Sequence, residues 1–162
     1  MTMNIRRAAA VLILVTACAG TGYGSTLFAA TAPNNSTGDF GTLDTTTGVY
    51  TPLGNNGVTL AGLGALNGAL YGAIWDNAGG TLYTVNTTNG ALTTIGNSNI
   101  AYLDFAEANG ALWAVGVDDN LYSINASTGA ATLVGATGLA ASTMNWNSLA
   151  SGLNRVIIYL TK

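Results

Sequence analysis

One short motif occurs three times along this chain. It reads Asp44-Thr-Thr-Thr-Gly48-Val-Tyr-Thr51-Pro-Leu53-Gly54, then Asn86-Thr-Thr-Asn-Gly90-Ala-Leu-Thr93-Thr-Ile95-Gly96, then Asn125-Ala-Ser-Thr-Gly129-Ala-Ala-Thr132-Leu-Val134-Gly135. A fixed period in the forties restricts the fold to units that stack on their neighbours, such as propeller blades. Flanking signals keep the same period. Asn67-Gly68-Ala69-Leu70 recurs as Asn109-Gly110-Ala111-Leu112, and Gly68, Gly110 and Gly152 are 42 residues apart. Between Asn86 and Asn125 the step is 39, and the missing residues fall between Trp113 and Leu121, where a loop is expected. Length variation confined to a loop is what a repeated fold predicts.

Each copy reads as four short strands, because β-branched and aromatic runs alternate with turn residues. In the second copy they fall at about 70–75, 81–86, 91–96 and 101–108; in the first, at about 26–32, 40–45, 49–54 and 59–66. The Asn/Asp-x-x-x-Gly segments suit tight hairpins. Asp44, Asn86 and Asn125 can bond their own backbone two residues on, and Gly48, Gly90 and Gly129 accept the positive φ that closes the loop. Four strands per unit of about 40–45 residues describe a propeller blade. The expected fold is all-β: a β-propeller-like array of about three four-stranded antiparallel blades plus one extra strand, with a β-solenoid as the competing fold. The units are placed at about 25–67, 68–109 and 110–151, with a remnant at 152–162.

The strings Leu82-Tyr83-Thr84-Val85-Asn86-Thr87-Thr88-Asn89-Gly90 and Leu121-Tyr122-Ser123-Ile124-Asn125-Ala126-Ser127-Thr128-Gly129 resemble the repeats of bacterial secreted β-propellers, a broad group that includes quinoprotein-like and lactonase-like members. The resemblance covers about residues 25–152 and implies a fold rather than an activity, since the matching residues are turn and core residues. Quinoprotein repeats usually carry a docking Trp after the hairpin Gly. Here Val49-Tyr50, Ala91-Leu92 and Ala130-Ala131 follow it, so quinone binding is not implied and no cofactor is expected.

Residues 1–24 read as a signal peptide. Arg6-Arg7 supplies the positive start, and Ala8 to Ala17 is an apolar stretch of leader length. The chain is therefore expected to be exported to the periplasm, the cell surface or the medium of a bacterium. Cys18, the single cysteine, ends Val15-Thr16-Ala17-Cys18, which resembles a lipobox and implies a lipid anchor on Cys18. The alternative is an ordinary signal cleaved after Ala19 or near Gly24. Removal of the leader would leave seven acidic residues against Arg155 and Lys162. Such a balance excludes a basic phosphate-binding face and with it nucleic acid as a partner. The mean hydropathy of +0.38 reflects Ala, Leu and Val in the repeats, since no run of eighteen apolar residues follows the leader.

With no histidine, and no cysteine beyond the leader, Ser-His-Asp, Cys-His and His-ligated metal chemistry is excluded. Carboxylates remain. Asp118-Asp119-Asn120, Asp76-Asn77 and Asn34-Asn35 fall in matching loops of the three units; hard oxygen ligands there could hold Ca²⁺, but ordinary turn chemistry explains them better, and no metal site is assigned. Asp104 and Glu107, an odd step apart, take opposite faces of a strand, which argues against a glycosidase acid/base pair. Trp75, Trp113 and Trp146 could form a sugar-stacking strip, although packing between units is the commoner use. The acceptor triplets at Asn34, Asn35, Asn86 and Asn125 read as turns in a chain with a bacterial-type leader. No catalytic residue is assigned.

Three units and one strand are fewer than the four to eight blades of a propeller, so the chain reads first as a fragment of a longer gene; otherwise two or more copies close a ring, or a small open array suffices, and open edges invite self-association. In particular, Val156 to Leu160 reads as a strand with no unit of its own to join. The expected function is a non-catalytic exported module that binds a protein or glycan at the cell surface. The alternatives are part of a propeller enzyme, lactonase-like or lyase-like, with its active residues elsewhere, or a structural envelope protein.

Overall fold

The structure is a computed structural model that describes residues 12–16, 27–31, 38–74, 79–138, 146–152 and 155–161. The described residues form β-strands and turns, without a helix. Strands β1 (Leu12–Thr16), β2 (Leu27–Thr31), β3 (Asp39–Leu43) and β4 (Tyr50–Asn55) pair in chain order as the first sheet. Strands β5 (Leu60–Leu66), β6 (Ala69–Ile74), β7 (Thr81–Val85) and β8 (Leu92–Asn97) form the second. The third contains β9 (Tyr102–Ala108), β10 (Ala111–Gly116), β11 (Asn120–Ile124) and β12 (Ala131–Ala136). A two-stranded sheet of β13 (Trp146–Gly152) and β14 (Arg155–Thr161) follows. All pairings are antiparallel. The first strands of successive sheets are neighbours, β1 beside β5, β5 beside β9 and β9 beside β13. The fourth strands lie outermost and are largely exposed. This is the all-β, propeller-like array that the repeat predicts.

The sheets are cut from the chain at different points from those expected. Asn67 (φ 51°) and Gly68 (φ 79°) form the two-residue turn between β5 and β6, and Asn109 (φ 55°) and Gly110 (φ 73°) that between β9 and β10. Positive φ at both central residues defines the type I′ hairpin, whose twist suits flanking strands of one sheet. Unit boundaries at Gly68 and Gly110 therefore divide hairpins. Residues 59–66, expected to end the first unit, open the second sheet instead. The same shift applies at the far end: residues 146–152 pair with 155–161, so Val156 to Leu160 is half of a hairpin and not an unpaired strand. In the first sheet the leading place is taken by Leu12–Thr16, a segment within the stretch read as a leader.

The apolar core lies between sheets. Phe40, Leu60, Leu63, Leu70 and Val85 join sheets one and two, with Leu53 packed against them. Leu82, Tyr102, Phe105, Leu112 and Ile124 join sheets two and three, with Ile95 packed against them. Burying one such side chain contributes roughly 1.5–3 kcal/mol, so each sheet depends on its neighbour for stability.

A bulge repeats between the third and fourth strands of each four-stranded sheet. Phe40 pairs with Gly54 and Gly41 with Pro52, which sets Leu53 outside the register. Ile95 is displaced beside the pair Leu82 and Gly96, and Val134 beside Leu121 and Gly135. The turn of the next sheet seats on this bulge. A Cβ at Gly54 would overlap the Asn89 carbonyl, and a Cβ at Gly96 would overlap that of Thr128. A Cβ at Gly90 would come 2.8 Å from the Phe40 Cβ. Glycine is needed here because backbone approaches backbone.

Candidate functional site

The hairpin turns have the geometry their sequence implies. Asp44 Oδ1 accepts the Thr46 and Thr47 amides at 2.7 and 2.9 Å, and Asn125 Oδ1 those of Ser127 and Thr128 at 2.9 and 3.1 Å. Asn86 Oδ1 accepts the Thr88 amide at 2.9 Å. Gly48, Gly90 and Gly129, at φ 72°, 74° and 74°, each donate an amide to the carbonyl of the capping residue at 2.8 Å. The amide bonds hold the Asp44 carboxyl below its ordinary pKa. Asn86 and Asn125, matches to the glycosylation triplet, are thus engaged as turn caps. Asn34, Asn35, Asp76, Asn77, Trp75 and Cys18 lie outside the described residues.

The opposite ends of the strands carry the β6–β7 and β10–β11 loops and the linkers between sheets, tied together by backbone bonds. Ser98 and Ile100 donate to the Gly80 and Gly79 carbonyls, Val117 to Ala101 and Thr137 to Asp119. The Ser98 hydroxyl lies 3.1–3.2 Å from the carbonyls of Gly79, Gly80 and Ile100, and accepts the Ile100 amide at 3.1 Å. Beneath this loop lies Tyr102, fully buried, its hydroxyl without a hydrogen-bond partner among the described residues. Burial raises its pKa, and the Ser98 hydroxyl opposes the shift.

Sheet three departs from the repeat here. In sheet one Asn55 Nδ2 donates to Asp39 Oδ1 at 3.0 Å, and in sheet two Asn97 Nδ2 donates to Thr81 Oγ1 at 3.3 Å. The corresponding pair in sheet three is Asn120 and Ala136, so Asn120 has no such partner across the strands. Its Nδ2 donates instead to Asp118 Oδ2 at 2.8 Å, and the Tyr122 hydroxyl donates to the same oxygen at 2.6 Å. Partial burial pushes the Asp118 carboxyl up, but the bonds from Tyr122 and Asn120 outweigh it and leave the pKa lowered. Tyr122 is raised, first by its bond to Asp118 and then by burial. An ionised, oriented carboxylate is a weak base and a good acceptor for hydroxyl, amide or ammonium donors. Beside it Val117 is 54% exposed.

Of the sequence candidates, Asp118 and Asn120 meet in this cluster. Tyr122 was legible only as a strand residue; the signal that marks it is the replacement of the repeat's Asn by Ala136. Among the described residues no group of three or more acidic or cysteine side chains is placed to hold a metal ion. Glu107 Oε1 accepts the Gly110 amide at 2.9 Å, and the Asp104 side chain lies outside the described residues. Trp113 donates Nε1 to the Ala108 carbonyl at 2.9 Å, and the side chains of Trp75 and Trp146 lie outside the described residues.

No family model matches the chain, and no curated protein matches it. Among solved structures it is similar to a structural genomics protein of unknown function from Bacteroides thetaiotaomicron, with a TM-score of 0.56 and 19% identity. The match covers 82% of this chain and 34% of the other. The likeness concerns the fold, and the chain spans about a third of the length of that neighbour.

Proposed function

We propose that the chain is an exported, non-catalytic member of the secreted β-propeller type, and that it binds a protein or glycan at the cell surface. The observation that carries this reading is the Asp118–Asn120–Tyr122 cluster. It fixes an exposed carboxylate beside exposed Val117 at the loop ends of a repeated scaffold, in the one sheet where the repeat is broken. Loops held by a rigid framework are where binding residues concentrate. Glycan and protein arrays probed with the full chain and with Asp118→Ala test it. A ligand whose binding falls at least tenfold in Asp118→Ala supports the reading. No ligand on either array, or binding indifferent to Asp118, refutes it.

Export is part of the proposal. Cleavage at Cys18 or just beyond would remove β1, leaving sheet one with β2, β3 and β4. Lipid attachment at Cys18 is tested by metabolic labelling with a palmitate analogue: label on the wild type and none on Cys18→Ala is expected, and an unlabelled wild type overturns it. A second reading, part of a longer propeller enzyme, draws support from the greater length of the solved neighbour. Further repeats bearing histidine or glutamate clusters, continuous in frame with Lys162, would favour it.

A further inference from the structure

We propose that Asn67 is a site of spontaneous covalent modification: the Gly68 nitrogen closes on the Asn67 side chain with loss of ammonia, while Glu107 holds the matching turn at Asn109-Gly110 against the same reaction. Asparagine is among the chemically labile residues, and it is most labile before glycine, where no side chain shields the attacking nitrogen. Asn-Gly occurs four times in this chain, at Asn56, Asn67, Asn89 and Asn109. The four attacking nitrogens have different surroundings. The Gly57 amide donates to Asn55 Oδ1 at 2.8 Å, the Gly90 amide to the Asn86 carbonyl at 2.8 Å, and the Gly110 amide to Glu107 Oε1 at 2.9 Å. The Gly68 amide has no acceptor among the described residues. Leu66 pairs with Ala69 across the turn, so the strand ladder closes around Gly68 without using its N–H. Asn67 and Gly68 are exposed, and among the described residues nothing lies within 4 Å of a Gly68 Cβ.

The comparison with Asn109 isolates the cause. Asn67-Gly68-Ala69-Leu70 and Asn109-Gly110-Ala111-Leu112 are identical, and both turns are type I′, with φ 51° and 79° in one and 55° and 73° in the other. In the repeat Glu107 corresponds to Ala65, which has no side-chain oxygen to offer. In the reaction the Gly68 nitrogen gives up its proton to solvent and bonds to Asn67 Cγ. The Cγ–Nδ2 bond breaks, Nδ2 takes a proton from water and leaves as ammonia, and a five-membered succinimide remains. Water then opens the ring at either carbonyl, which gives an aspartyl residue linked through its α- or its β-carboxyl group. Water is the only co-reactant. A hydrogen bond that holds the protonated N–H disfavours its ionisation, and it must break before the nitrogen can turn toward Cγ. Glu107 supplies that bond at Gly110, and no described residue supplies it at Gly68. The β-linked product adds a main-chain carbon to the two-residue turn that joins β5 and β6. Strand β5 lies beside both β1 and β9, so the change bears on the contacts with sheets one and three.

The test is to incubate the full chain in mildly alkaline buffer and follow each Asn-Gly site by peptide mapping with mass spectrometry. Conversion at Asn67 should run at least tenfold faster than at Asn56, Asn89 or Asn109. In urea sufficient to unfold the chain, Asn67 and Asn109 should convert at nearly equal rates, because their sequences match from Asn to Leu. Glu107→Ala should bring Asn109 up toward the Asn67 rate while circular dichroism shows the chain still folded. Glu107→Gln, which keeps an oxygen acceptor, should leave Asn109 slow. Equal rates at Asn67 and Asn109 in the folded wild type overturn the proposal, as does a difference that persists in urea. A folded Glu107→Ala chain in which Asn109 stays slow also overturns it. The wild-type comparison needs no variant and decides the matter even if a Glu107 substitution prevents folding.

Discussion

Replacing Gly96 and Gly135 by alanine, one at a time, isolates the contact between sheets from every other effect. The two glycines occupy the same repeat position, on the outermost strand beside the bulged residue, and neither has a positive φ. Their intrinsic responses to a methyl group should match: about 0.4–1 kcal/mol of stabilisation, from reduced freedom of the unfolded chain. Only their surroundings differ. At Gly96 the new Cβ would overlap the Thr128 carbonyl, which belongs to a hydrogen-bonded turn and cannot rotate away. Overpacking of this kind costs about 1–3 kcal/mol. At Gly135 the Cβ meets nothing within 4 Å among the described residues. Gly135→Ala should therefore be neutral to stabilising, and Gly96→Ala less stable than it by the overpacking cost, about 1–3 kcal/mol, because the equal intrinsic gains cancel. With a urea m-value near 2 kcal/mol/M, the midpoints should differ by about 1 M. Urea melts followed by far-ultraviolet circular dichroism measure this. Coincident midpoints would show that the turn is not seated on the glycine.

Gly48→Ala and Gly90→Ala should differ in the same melts. Both require a left-handed residue, at a cost of roughly 1–2 kcal/mol, but only Gly90 also presses on Phe40, so it should lose more. Phe40→Ala empties a fully buried site between sheets one and two and should cost about 3–5 kcal/mol, enough to abolish a cooperative melt in a marginal array. Lowering the pH should weaken the Asp118 cluster. Its carboxyl lies below the ordinary 3.8, so the stabilisation is present above that value and is lost as pH falls through the lowered one. Solvent exposure keeps it below about 1 kcal/mol, and Tyr122→Phe should flatten this part of the stability profile, as read by thermal melts between pH 2 and 6.

The turns were legible in the sequence because their chemistry is local. An Asn or Asp side chain bonding amides two or three residues on, closed by a left-handed glycine, needs no information from elsewhere, and Asp44–Gly48, Asn86–Gly90 and Asn125–Gly129 fold as written. The phase of the sheets was not legible by the same route. Asn67-Gly68 and Asn109-Gly110 mark a repeat equally well as a boundary or as the inside of a hairpin; the alternation on either side decides, with Leu66 paired to Ala69 and Ala108 to Ala111. The Asp118 cluster was half legible. The acidic pair stands out, but Tyr122 reaches Asp118 from the following strand, four residues on, and a strand residue carries no sign of that bond in the sequence.

Among the described residues the outward faces of sheets one and three are not equivalent, and the position of the core explains why this matters. Since the apolar clusters lie between sheets, every internal sheet is covered on both faces, and an end sheet must find cover or expose a core half. Sheet one has found it: Leu27 and Ala29 correspond through their strand pairing to Leu112 and Ala114, which face the preceding sheet, and both are buried. On sheet three Val134 is 55% exposed where its counterpart Ile95 in sheet two is packed into the core. The same bulge therefore has two surroundings among the described residues: a glycine under a carbonyl and an isoleucine in a core on sheet two, a glycine in open space and an exposed valine on sheet three, which is why Gly96→Ala and Gly135→Ala separate the contact from the bulge itself.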